Sequence, residues 1–190
     1  MRILLLILGG LRLIPRQGAP QAVLKGDSRL EAKIAAGPAD VAARMPLRVW
    51  VQPSPFSATI SRNTRALGRA VAEWNAQHLP VRMRLGADSL PADVRVFWTD
   101  RFDEPISGRT TCVDDGASHL VSATVVLALK HADGRILSEE EARVLALHEL
   151  GHAIGLEHST DSASVMWPRV RVRSISAADR ARVAELYSRR

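Results

Sequence analysis

Residues 148–158 read HELGHAIGLEH, and their types and spacing are those of a metal chelate. Positions i and i+4 of a helix lie only about 40° apart, so His148 and His152 present two imidazoles to one point in space. Glu149 sits about 100° round from His148, off the line of ligands, where a carboxylate serves as general base toward a water rather than binding the ion. On an uninterrupted helix His158 would lie about 9 Å beyond His152, far outside a zinc–nitrogen bond of about 2.1 Å, so the chain must turn back. Gly155 can make that turn, because glycine enters the left-handed region without a Cβ penalty. Three histidines with one open position form the catalytic zinc pattern; structural sites close with four ligands and favour cysteine, of which this chain has one. Such a site holds a single Zn2+ and is hydrolytic machinery, a zinc-activated water attacking while Glu149 takes the proton and returns it to the leaving group. Ordinary surface or core histidines account for a bare HExxH more readily than for one followed by Gly155 and His158.

The pattern resembles the metzincin zinc-peptidase signature, and its matrixin branch in particular. Ser164, Val165, Met166, Trp167 and Pro168 resemble the family's Met-turn, in which a methionine packs beneath the metal site. Ile175 to Asp179, and onward to Leu186 and Tyr187, resemble the matrixin C-terminal helix. Astacin-like and serralysin-like relatives place a tyrosine ligand two residues after the methionine, where this chain has Pro168; this favours the matrixin branch. The resemblance implies a secreted zinc endopeptidase that binds its peptide substrate extended, antiparallel to an edge strand near Thr110 to Val113. It also implies that Trp167 and Pro168 wall a pocket for an apolar side chain just after the scissile bond.

Three departures limit what is carried over. Animal matrixins hold structural zinc and calcium in the loops before the active helix. Here residues 99–137 offer Asp100, Asp103, Asp114, Asp115, His119, His131 and Asp133 without the family's spacing, so calcium and structural zinc are not expected. Ala178 stands where the family's last helix has the first of two adjacent aspartates, so the usual anchoring of a freed N-terminus is not carried over. Matrixin latency often uses a pro-segment cysteine, but residues 1–46 contain none and Cys112 lies within the domain. Leu24, Lys25, Gly26 and Asp27 instead resemble the glycine-aspartate switch of astacins and some bacterial matrixins, with Asp27 as a fourth zinc ligand; the plainer reading is a solvated turn.

The elements that must position this chemistry are legible from period and punctuation. Leu47, Val49 and Val51 alternate as a strand stopped by Pro53. Ser61 or Asn63 then caps a helix carrying Leu67, Ala70, Val71 and Trp74, which ends near His78. Val81 to Leu85 and Val94 to Trp98 are two further strands. Gly108 to Asp114 and Leu120 to Leu129 are two more, turning at Asp114 to Gly116. Ser138 and Glu141 form a capping box at the start of the zinc helix, and Ser176 with Asp179 opens the last helix, whose Val183, Leu186 and Tyr187 pack inward. The expected class is α+β. It is a metzincin-like catalytic domain with a twisted, mostly parallel five-stranded sheet, an antiparallel edge strand, a backing helix, an active-site helix and a C-terminal helix.

At 190 residues the chain fits one such domain, 47–190, with an extension. Residues 1–20 read as a short signal sequence with Arg2 ahead of an apolar run, and 21–46 as a poorly structured leader or pro-segment. A secreted or cell-envelope location follows, without a stable membrane span. The net charge is +6, but the arginines are scattered from Arg2 to Arg190 with no aromatic-interleaved stripe, so no nucleic-acid partner is expected. The partner is a protein or peptide substrate, and the chain is read as a monomer. Two other readings stand beside the endopeptidase: an inactive metzincin-like binding module, and a basic envelope- or nucleic-acid-binding protein. Retention of Glu149 separates the first from the enzyme, because a structural zinc needs no base.

Overall fold

A computed structural model of the protein describes residues 3–4, 45–53, 57–87, 89, 91–114, 120–169 and 172–188. The leader with Asp27, most of the signal-like segment and the turn at 115–119 lie outside the described residues. In chain order the elements are β1 (Ile3–Leu4), β2 (Leu47–Val51), α1 (Ala58–Asn75), β3 (Met83–Gly86), β4 (Val94–Thr99), β5 (Gly108–Asp114), β6 (Leu120–Ala128), α2 (Glu139–Ala153) and α3 (Ala177–Ser188).

The sheet order is β1-β5-β6-β4-β2-β3. Strands β2, β3, β4 and β6 run parallel, and β5 pairs antiparallel with β6. This is the expected five-stranded, mostly parallel sheet with its antiparallel edge, in an α+β metzincin arrangement. A parallel pair cannot be closed by a tight turn, so α1 carries the chain from β2 across to β3. One difference falls at the edge. Ile3–Leu4 pairs antiparallel with β5, Ile3 opposite Val113 and Leu4 opposite Cys112, so the outer edge of β5 is without a described partner only toward Gly108–Thr111.

Strand alternation puts Leu47, Val49, Val94, Val96, Val125 and Leu127 on one face, where each is at most 2% exposed. They meet Leu67, Ala70, Val71 and Trp74 of α1 and Leu145, Ala146, Leu147 and Leu150 of α2 in one core. Helix α1 starts a turn earlier than its sequence suggests. Ser57 is the cap, its Oγ accepting from Ile60 N at 3.2 Å, because the buried stripe at 66, 67, 70, 71 and 74 continues back to Asn63 and turns that side chain inward. The indole of Trp74 donates to the Leu147 carbonyl at 3.1 Å, fastening α1 to α2. In α3, Val183 is fully buried and Tyr187 packs on the core, but Leu186 is 48% exposed and does not pack inward as expected.

Helix α2 opens with the expected capping box. Ser138 Oγ accepts from Glu141 N, and the Glu141 carboxylate accepts from Ser138 N at 2.8 Å. Those bonds to Ser138, with Arg135 alongside, hold the Glu141 pKa down at about 2 from 4.5. A depressed carboxylate contributes fully above its unfolded pKa and loses that contribution as pH falls through its folded one. Glu141→Gln is therefore expected to lower the melting temperature at neutral pH, with the gap to the parent closing between about pH 4.5 and pH 2. Circular-dichroism melts across that range check it.

Candidate metal centre and active site

Helix α2 is buried along its whole second half, from Val144 through Ala153, as a helix under a sheet must be. It ends where the sequence required. Gly155 has φ +97°, its N–H reaches the His152 carbonyl at 2.9 Å, and Leu156 N–H reaches the Gly151 carbonyl at 2.9 Å. That bond pair is a Schellman ending, and it sends the next residues back toward the helix. His148, His152 and His158 are thereby brought together, one ring nitrogen of each lying within 4.8 Å of the others.

The ring nitrogens carry the chemical information. His148 Nδ1 is 2.8 Å from the Val165 carbonyl, and His152 Nδ1 is 2.7 Å from the Leu156 carbonyl. A carbonyl only accepts, so both Nδ1 atoms carry the proton and both Nε2 atoms present lone pairs. Those two Nε2 atoms face each other at 3.2 Å with no proton to share, and His158 Nε2 is buried with no hydrogen-bond partner. Two facing acceptors with a third, unpartnered ring nitrogen beside them are reconciled by a cation, so the residues fit a metal ion. Burial pushes His148 down to about 4 and His152 to about 3, aided at His152 by the neighbouring His148. Neutral imidazole is the ligating form.

The floor of the centre is held from two sides. Met166 is fully buried, and a Cβ on Gly151 would overlap its sulfur, so a helix residue without a side chain is what lets the Met-turn press against α2. Asp179 fixes that turn to α3. Its carboxylate accepts from Ser164 Oγ, from Val165 N at 3.0 Å and from Ser176 N and Oγ at 2.9 and 2.8 Å. Since Val165 also supplies the carbonyl that orients His148, Asp179 reaches the metal centre through one residue. The sequence marked Asp179 only as a helix cap and gave no signal for Gly151.

Glu149 lies beside this cluster, 1% exposed. Burial pushes its pKa up to about 7, against the opposing influence of the Thr110 hydroxyl and Arg109. The other sequence candidates are dispersed. A cleft of about 320 Å3 runs along the first half of α2, lined by Ser107, Leu137, Val144, Leu145, Glu141 and Arg173 among others; Trp167 and Pro168 are not among its walls. Asp100 pairs with Lys130, the Asp133 carboxylate accepts from Arg135 N, and His131 meets Glu141.

A buried helix under a mostly parallel sheet, with two of its histidines met by a third from the returning chain above a buried methionine turn, is the metzincin arrangement. A family model described as Matrixin matches residues 73–188, more than half of the chain. The chain belongs to the matrixin family. Over 64 residues it is 44% identical to a matrilysin of Felis catus, a stretch that covers 31% of this chain and 24% of that protein. The chain thus spans about a quarter of the length of the curated relative it matches.

Asp179→Ala leaves the buried Val165 amide and Ser164 hydroxyl, and the half-buried Ser176 amide and hydroxyl, without their acceptor. It is expected to lower the unfolding free energy by about 3 kcal/mol, read from urea denaturation.

Proposed function

We propose that the protein is a secreted zinc endopeptidase, with His148, His152 and His158 holding one Zn2+ and Glu149 acting as general base. The observation that carries this reading is the convergence of three histidines, two of them with facing acceptor nitrogens and the third with an unpartnered one, in a chain whose family consists of zinc enzymes. The ion, when bound there, supplies a Lewis acid that polarises a carbonyl and acidifies water. The carbonyls of Val165 and Leu156 hold two rings in the ligating tautomer. The Glu149 carboxylate, poised near neutrality by burial, accepts the proton of the attacking water and delivers it to the departing amine. An open position beside three protein ligands, together with a retained base, favours catalysis over an inactive binding module.

Glu149→Ala is expected to keep one zinc per chain and to lose turnover by at least about 100-fold, whereas His158→Ala loses the metal as well. Elemental analysis beside a cleavage assay distinguishes the two. Undiminished hydrolysis by Glu149→Ala would sink the mechanism.

Peptide substrate is read as an added strand on β5, antiparallel to it, because an unpaired edge offers backbone donors and acceptors. The cleft along α2, with Leu137, Val144 and Leu145 in its wall, suits an apolar side chain just after the scissile bond. Ile3–Leu4, within the signal-like segment, already lies along part of that edge in the antiparallel direction, so the whole edge is open to substrate only once that segment is gone. Removal of residues 1–45 is expected to raise activity several-fold, about fivefold or more, without changing zinc content. Asp27→Ala in the full chain tests whether Asp27 shares in that effect or is an ordinary loop residue.

A further inference from the structure

Gly108, Thr110 and Cys112 alternate onto the inner face of β5, and all three meet the active-site helix. Thr110, 2% exposed, places Oγ1 2.6 Å from Glu149 Oε2 and 3.2 Å from the Glu149 carbonyl oxygen. No other hydrogen bond to that carboxylate is made among the described residues. At Gly108 a Cβ would overlap Glu149 Oε1 and its adjoining carbons. Cys112 donates from Sγ to the His152 carbonyl at 3.4 Å. One strand thus locates both oxygens of the carboxylate, Oε2 by a hydroxyl donor and Oε1 by the absence of a side chain.

We propose that Thr110 is the positioning residue of the general base, with Gly108 supplying the space that the seated carboxylate occupies; this rests on the reading of Glu149 as base. A glutamate turns about several bonds, and only a fixed rotamer keeps its carboxylate at one point in a site that excludes water. Thr110 suits that work. Its β-branched side chain is stiff at χ1 and at home in a strand, so the donor itself does not wander. The same strand offers its outer edge to substrate, and the base is therefore seated on the element against which the scissile peptide is aligned. Nothing in the histidine motif calls for this. Thr110 lies 39 residues away in sequence, and the signal is a glycine and a threonine two apart on a strand.

The test compares Thr110→Val, Thr110→Ser, Gly108→Ala and Glu149→Ala in the full-length, zinc-loaded protein on an unfolded protein substrate. Thr110→Val is expected to lose about 10- to 100-fold in kcat, with KM and zinc affinity by chelator competition each within about twofold of the parent. Thr110→Ser, which restores the hydroxyl, returns kcat to within about threefold. Gly108→Ala loses kcat with Thr110 intact, and crystals of both impaired variants show the Glu149 carboxylate moved from its seat. Parental kcat in Thr110→Val beside a dead Glu149→Ala would overturn the positioning role and leave the base reading standing. Equal losses in the valine and serine variants, accompanied by lost zinc or a lowered melting temperature, would assign Thr110 to folding instead. Parental turnover in Glu149→Ala would overturn the base reading itself, and Thr110's role with it.

Discussion

Two imidazole Nε2 atoms 3.2 Å apart, each left without a proton because Nδ1–H of the same ring donates to a carbonyl, cannot stabilise each other. Lone pairs facing at that distance in a buried site repel, and the third ring adds a buried nitrogen with no hydrogen-bond partner. The polypeptide tolerates this arrangement only as half of an interaction whose other half is a cation. Much of the fold around it can be understood as the apparatus needed to hold those three nitrogens convergent. The sheet and α1 bury α2 so that its histidines have fixed positions. The Schellman ending at Gly155 bends the chain so that His158 returns, and Asp179 pins the turn whose carbonyl orients His148.

That apparatus explains why small residues recur at the centre. Gly151 makes room for Met166, Gly108 for the Glu149 carboxylate, and Gly155 for the left-handed turn. Only the last is a matter of backbone conformation; the first two are close approaches in which a single Cβ would displace the group behind it. Alanine, ordinarily the better helix former by about 1 kcal/mol, is excluded at 151 by packing from another element.

The termini of α2, the strands and the convergence of His148, His152 and His158 were readable because each is written locally. Period two marked the strands, the capping box at Ser138 and Glu141 marked the start of α2, and Gly155 marked its end. The family resemblance supplied the mostly parallel sense of the sheet and its antiparallel edge, which local patterns do not contain. What escaped reading depends on contacts distant in sequence. Asn63 looked like a cap until the helix stripe carried it inward. Leu186 looked like a core residue until α3 was placed with that side outward. Gly151 has no local signature at all, and Thr110 only that of a threonine two residues after a glycine on a strand, since each is defined by a side chain on another element. The cleft along α2 had no local signature for a similar reason: its walls come from α2 and from the loop at Arg173, which the sequence places far apart.

The central claim is that the convergent histidines make this protein a metal-dependent peptidase. The most direct measurement is hydrolysis of an unfolded protein by the purified chain, with chelator added and then with one equivalent of zinc restored. Cleavage that stops with the chelator and returns with a single zinc per chain is the result expected. Cleavage indifferent to the chelator, or none from a folded chain carrying its zinc and freed of residues 1–45, would contradict the account.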